Sequence, residues 1–299
     1  MTSTRPGRVD SSGQDLGVPG ARPRDGPSVS FEPDPLISYL VRPDSDRAPC
    51  FALVLVAAWP PSASEADKHL EQQYNRFRET VSLCWDETDR PKASGTVKNK
   101  VGGTGALYLY PYEKLHITIA TLISNNDYSK LQHGDSVDQS SQEEKIIEVW
   151  KKILKRASDS SKWPRKAPFQ LQVESAQIGS RAGILLWKDL SGSVEAVRQC
   201  IREACIDEAK TFQDANLSPT TLSVPGIIHS TFLRFYQTPV SDGSDVQDKF
   251  QSMVLPKLHN FFPPNPPREV RVMRYVCERT PYMHIPNDDD HVFASYELT

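Results

Sequence analysis

Leu115-His116-Ile117-Thr118-Ile119 and His229-Ser230-Thr231-Phe232 carry the same four-residue pattern: His, any residue, Thr, apolar. In an extended strand successive side chains point to opposite faces, so His116 and Thr118 share one face while Ile117 and Ile119 share the other. His229 and Thr231 are related in the same way. Each stretch therefore offers an imidazole beside a hydroxyl, with the opposite face free to enter a core. Either copy alone reads as an ordinary strand that happens to hold a His and a Thr. Two copies in matching surroundings point to one phosphate-sized site shared by facing strands.

Cleaving a phosphodiester without a metal requires a proton to leave the attacking oxygen and another to reach the departing oxygen. Histidine suits both tasks, because its unperturbed pKa of about 6.5 lets one copy be neutral while the other is charged. Threonine hydroxyls donate hydrogen bonds to nonbridging oxygens and stabilise charge as it develops. His116 and His229 are accordingly the candidate catalytic residues, and Thr118 and Thr231 the candidate substrate-binding residues.

Outward from the motifs, the chain reads as alternating strands and helices. Residues 1–47 are dominated by Gly, Pro, Ser, Arg and Asp and are expected to form a disordered tail, with one domain over 48–299. The apolar run Cys50 to Val56 reads as a strand, and Ser64-Glu65-Ala66-Asp67 leads a helix reaching about Val81. Strands are expected at 106–110 and 115–123, the second holding the first motif, and a polar stretch from Ser124 to Gln142 interrupts the pattern. A helix from about Glu143 to Ser158 carries apolar residues at helical spacing and is suited to covering a sheet. Strands at 169–174 and 183–187 form a hairpin, Ser193 to Ala209 reads as a helix, and the second motif strand follows. The remainder is a helix from Val246 to Phe262 with a kink at Pro256, then strands at 269–278 and 292–298. His229 lies 113 positions after His116, too far for a solenoid repeat and suited to two similar lobes around a cleft.

Composition narrows the partners. A net charge of -3 excludes a strongly basic nucleic-acid coat, though it leaves room for a local basic cleft. The longest apolar stretch, Phe51 to Trp59, is far too short to span a bilayer, so no membrane contact is expected. Five cysteines without a C-x-x-C pair suggest reduced thiols, with Cys200 and Cys205 as packing residues in one helix. The first residues lack a secretory apolar core, and a cytoplasmic or nuclear location is expected.

The chain resembles the 2H phosphoesterase superfamily, whose members are named for two His-x-Thr/Ser-apolar motifs. The likeness covers about residues 48 to 299 and rests on Leu115 to Ile119, on His229-Ser230-Thr231-Phe232-Leu233-Arg234, and on the elements between Phe169 and Ala209. It implies an α+β fold of two pseudo-symmetric antiparallel sheets flanked by helices around a central cleft. It also implies metal-independent hydrolysis of 2',3'-cyclic phosphates, on RNA ends or small nucleotides, to 2'-phosphates. Under that likeness His229 activates water, His116 protonates the leaving oxygen, or the reverse, and Thr118 and Thr231 hold the phosphate. No metal and no cofactor are expected, and the protein is expected to be a monomer. The tail, the long segment before His116 and the wide motif spacing depart from the compact bacterial members.

Arg234 matches an arginine in the second motif of bacterial RNA 2',3'-cyclic phosphodiesterases and is a further candidate for substrate binding. Strict alternation from His229 points it to the wrong face, so that role requires a strand end or bulge; otherwise a surface ion pair is its place. Weaker signals are Gly102-Gly103-Thr104-Gly105, read as a turn; Lys98, Lys100 and Lys114, read as a solvated loop; and Tyr110, Tyr112, Tyr236 and Tyr282 as base-stacking candidates. His69, His133, His259, His284 and His291 show no partner pattern, and the zinc alternative needs a third ligand beside His116 and His229. A G-x-S-x-G elbow for Ser-His-Asp chemistry is missing. Two rival functions share the same residues: RNA 3'-end trimming with a ribose hydroxyl as attacking group, and noncatalytic RNA or nucleotide binding.

Overall fold

Ala52–Ala57 is the first strand, β1, and all six of its residues are buried. A strand with no wet face belongs in the middle of a covered sheet. In the computed structural model, which describes residues 30–40, 50–62, 64–90, 105–131 and 139–298, β1 runs antiparallel to Ile117–Ile123 (β3) on one side and Val272–Glu278 (β8) on the other. Val292–Glu297 (β9) completes a four-stranded sheet of order β3-β1-β8-β9. The second sheet has five strands: Leu107–Leu109 (β2), Phe169–Ile178 (β4), Ala182–Asp189 (β5), His229–Phe235 (β6) and Arg268–Val270 (β7). Its order is β2-β6-β5-β4-β7, again with antiparallel pairs.

The fold is therefore α+β with two antiparallel sheets and helices, as expected. The sheets are not consecutive halves of the chain, however. β2 lies beside the first motif in sequence yet pairs with β6 of the second, while β8 and β9 return to the first sheet.

Helices cover both sheets. Glu65–Ser82 (α1) starts at Ser64, whose hydroxyl accepts from the Asp67 amide at 3.2 Å, and it buries Tyr74, Phe77 and Val81. The Phe77 ring meets Phe232 of β6 edge-on at 5.0 Å, so this early helix covers the second sheet. Gln139–Asp159 (α3) and Ser193–Asp207 (α4) pack together, with α4 against β3 and α3 against β9.

Three local expectations are corrected. Asn125–Leu131 (α2) is a helix inside the stretch expected to be irregular, begun by Ser124, whose hydroxyl accepts from the Asp127 amide at 3.1 Å. The helix expected from Val246 is broken into Gly243–Lys249 (α5), a π turn, a 3-10 turn holding Pro256, and Leu258–Phe261 (α6). Proline lacks the N–H that a continuous helix needs there.

Residues 30–40, assigned to the disordered tail, are also ordered. Phe31 and Ile37 are buried, Phe31 lies 4.8 Å from Trp85 and 5.0 Å from Phe235, and Asp34 N–H donates to Phe235 O at 2.9 Å. Burial of these apolar groups offsets the ordering entropy that the surrounding composition suggested would prevail. Residues 1–29 and 41–47 lie outside the described residues.

Candidate active site

The two motif strands meet. β3 and β6 come together between the sheets, and a bridge between Thr121 and Ser223, with N–H···O distances of 2.8 and 2.7 Å, ties β3 to the segment entering β6. A cleft of about 920 Å³ opens at this seam. His116, Thr118, His229, Thr231 and Arg234, the five candidate residues, all line it.

Each motif ends in a β-bulge at its fourth position. In the pairing of β1 with β3, Leu55 faces Ala120 and Val56 faces Thr118, so Ile119 is the extra residue. In the pairing of β5 with β6, Gly183 faces Leu233 and Ile184 faces Thr231, so Phe232 is the extra one. A bulge reverses the alternation beyond it. The residue five positions after each histidine, Thr121 in one strand and Arg234 in the other, is thereby returned to the cleft face. Gly183 makes room for the second bulge, since a Cβ there would stand 2.6 Å from two carbons of the Phe232 ring.

Strand β3 and the segment entering β6 are held from behind by Arg198 of α4, which is 3 % exposed. Its guanidinium donates to Ile119 O at 3.1 Å, Thr118 O at 3.4 Å and Ile227 O at 3.0 Å. One side chain thus spans the backbone of both motif regions. Ser230, the variable position of the second motif, is buried and accepts from the Trp187 indole at 3.0 Å, which fixes the back of β6.

His116 Nδ1 lies 3.0 Å from Lys114 O. A carbonyl only accepts, so Nδ1 carries the proton and Nε2 of the neutral ring keeps its lone pair. Burial lowers the His116 pKa to about 4; the Arg234 charge acts in the same direction and the Lys114 carbonyl opposes it. Glu278, at the end of β8, lines the same cleft, and burial raises its pKa to about 7 against the Met283 N–H and the Arg234 charge.

Arg234 is not the surface ion pair that strict alternation offered. Its guanidinium is largely buried, ion-pairs through Nη1 with Asp34 Oδ2, and lies 4.0 Å from the centroid of the Tyr282 ring. The Tyr282 hydroxyl donates to the same Asp34 oxygen at 2.7 Å. Burial disfavours the Arg234 charge, but Tyr282, Tyr110 and Asp34 more than compensate, and its pKa lies above the ordinary value.

Of the aromatic candidates, Tyr110 and Tyr282 line the cleft, and Tyr112 and Tyr236 do not. Lys114 turns its ammonium to Ile285 O at 3.3 Å. Lys98, Lys100 and Gly102 to Thr104 lie outside the described residues. His284 has a partner after all: its ring meets the Tyr108 hydroxyl through Nε2, and burial lowers its pKa to about 4. Among the described residues no group of three or more His, Cys, Asp or Glu is placed to hold a metal ion, and no helix is long and apolar enough to cross a membrane.

Asp34, Glu278 and Arg198 were not found by motif reading. Phe31, Leu36, Ile37 and Leu40 around Asp34 are a local apolar cluster that could have marked an ordered segment. Glu278 and Arg198 carry no local signal, because their importance comes from which strands they meet.

No family model and no curated protein matches this chain. Among solved structures, it is similar to a conserved protein of unknown function from Agrobacterium tumefaciens, with 14% sequence identity and a TM-score of 0.46, over 83% of this chain and 87% of that one.

Proposed function

We propose that the protein is a phosphodiesterase of the 2H type, which opens 2',3'-cyclic phosphates of nucleotides or RNA ends to 2'-phosphates without a metal. The observation that carries this reading is the lining of one cleft by both His-Thr pairs. Thr118 and Thr231 donate to the nonbridging oxygens and hold the phosphorus between the two imidazoles. One histidine takes a proton from water as its oxygen bonds to phosphorus; the other gives a proton to the 3'-oxygen as the P–O3' bond breaks.

The neutral His116 ring, with its lone pair on Nε2, favours His116 as the base in the free protein. This is the second of the two orders that the resemblance implies. His229 is then the acid.

Replacing His116 or His229 with Ala removes a proton-transfer group, and each is expected to lower turnover of a 2',3'-cyclic nucleotide by about two to four orders of magnitude with the circular dichroism spectrum unchanged. Wild-type turnover that survives both substitutions would refute the assignment. A base with a pKa of about 4 also moves the acidic limb of the kcat/KM profile well below the ordinary histidine range. A limb centred near 6.5 would show that His116 is not the base.

A further inference from the structure

Two buried donors on the cleft wall lack an acceptor among the described residues: the Tyr110 hydroxyl and Arg234 Nε. Tyr110 is 0 % exposed, and burial holds its pKa well above the ordinary value, so at neutral pH it is a hydroxyl donor. The two side chains are close enough for Arg234 to influence Tyr110 electrostatically, and the Tyr110 ring centroid stands 6.5 Å from that of Tyr282, against which Arg234 rests. Leaving buried donors unmatched is unfavourable, and an acceptor supplied by a ligand removes the penalty.

The surrounding charge decides which acceptor fits. Asp34 pairs with Arg234 and cancels its charge, and Glu278 adds a second carboxyl to the same cleft, near enough for the guanidinium to influence it. A second phosphate would face those carboxyls, whereas an uncharged carbonyl oxygen meets no such repulsion. With the phosphate held by the His-Thr pairs, the part of a nucleotide bearing uncharged carbonyl oxygens is its base. Uracil, cytosine and guanine carry ring carbonyls; adenine carries none.

We propose that Tyr110 and Arg234 Nε form a subsite for a nucleobase carbonyl oxygen, so that the cleft prefers uracil-, cytosine- or guanine-bearing nucleotides to adenine nucleotides. The inference rests on the phosphate-binding reading given above. Calorimetric titration of the full chain with uridine 2'-monophosphate, adenosine 2'-monophosphate and inorganic phosphate tests it, alongside Tyr110→Phe. The wild type is expected to bind the uridine nucleotide about 10-fold to 100-fold more tightly than the adenosine nucleotide. In Tyr110→Phe that preference falls below about threefold, inorganic phosphate binds as before, and the unliganded variant is at least as stable, because an unmatched hydroxyl has gone. Equal affinities in the wild type, or a preference that survives in Tyr110→Phe, overturn the base subsite while leaving phosphate binding intact. Failure of all three ligands to bind the wild type overturns both readings.

Discussion

His116 and Glu278 face the same cleft, and withdrawal from water acts on them with opposite sign because one is charged when protonated and the other when deprotonated. For His116 the folded value of about 4 lies below the ordinary 6.5, so the unfolded chain binds more protons between those limits and its contribution to stability is lost as pH falls through them. For Glu278 the folded value of about 7 lies above the ordinary 4.5, so the folded chain binds more protons and stability is lost as pH rises from 4.5 to 7. Glu278→Gln keeps an oxygen for the Met283 N–H, 2.7 Å away, and removes the titration. Relative to wild type, the variant is expected to gain stability from pH 4.5 to 7 and hold that gain above it. Urea unfolding at pH 4, 6 and 8 measures this, and a constant difference across the three would disprove it. Both histidines and both threonines were legible from a two-residue alternation. Glu278 was not, because its raised pKa comes from burial, which the packing of the whole fold decides and no local pattern shows.

Among the strands and helices, the paired bulges are the main departure from sequence expectation. Alternation located His116 and Thr118 correctly and would have misplaced Arg234, since periodicity cannot show where a ladder skips a residue. Gly183 is the local condition for the second skip. Phe232 is fully buried and wedged against Phe77, so it has little freedom to retreat from a new methyl group. Gly183→Ala is therefore expected to cost about 1–3 kcal/mol by overpacking. It should also reduce turnover, as Arg234 and Thr231 shift with the strand. A variant that unfolds at the wild-type denaturant midpoint would show that the bulge does not need glycine. The helices were readable where apolar spacing ran long, as in α3, and missed where a short polar helix depended on one capping serine, as in α2.

Across the molecule, most elements could be anticipated one by one, but their exchange between sheets could not, because pairing of β2 with β6 and of β1 with β8 leaves no local trace. One contiguous core contains residues of both sheets and their helices. The two sheets should therefore unfold together: tryptophan fluorescence and far-ultraviolet circular dichroism are expected to give coincident denaturation curves. Two separated transitions would mean independent lobes.

The swapped strands also carry a genetic corollary. A premature stop codon just beyond residue 270 would spare both histidines and both threonines, yet strip β1 of its β8 neighbour and remove Glu278 and Tyr282. Such a truncated product would keep every residue of its signature while lacking the scaffold that gathers them, so presence of the motifs in a shortened transcript would be no guide to competence.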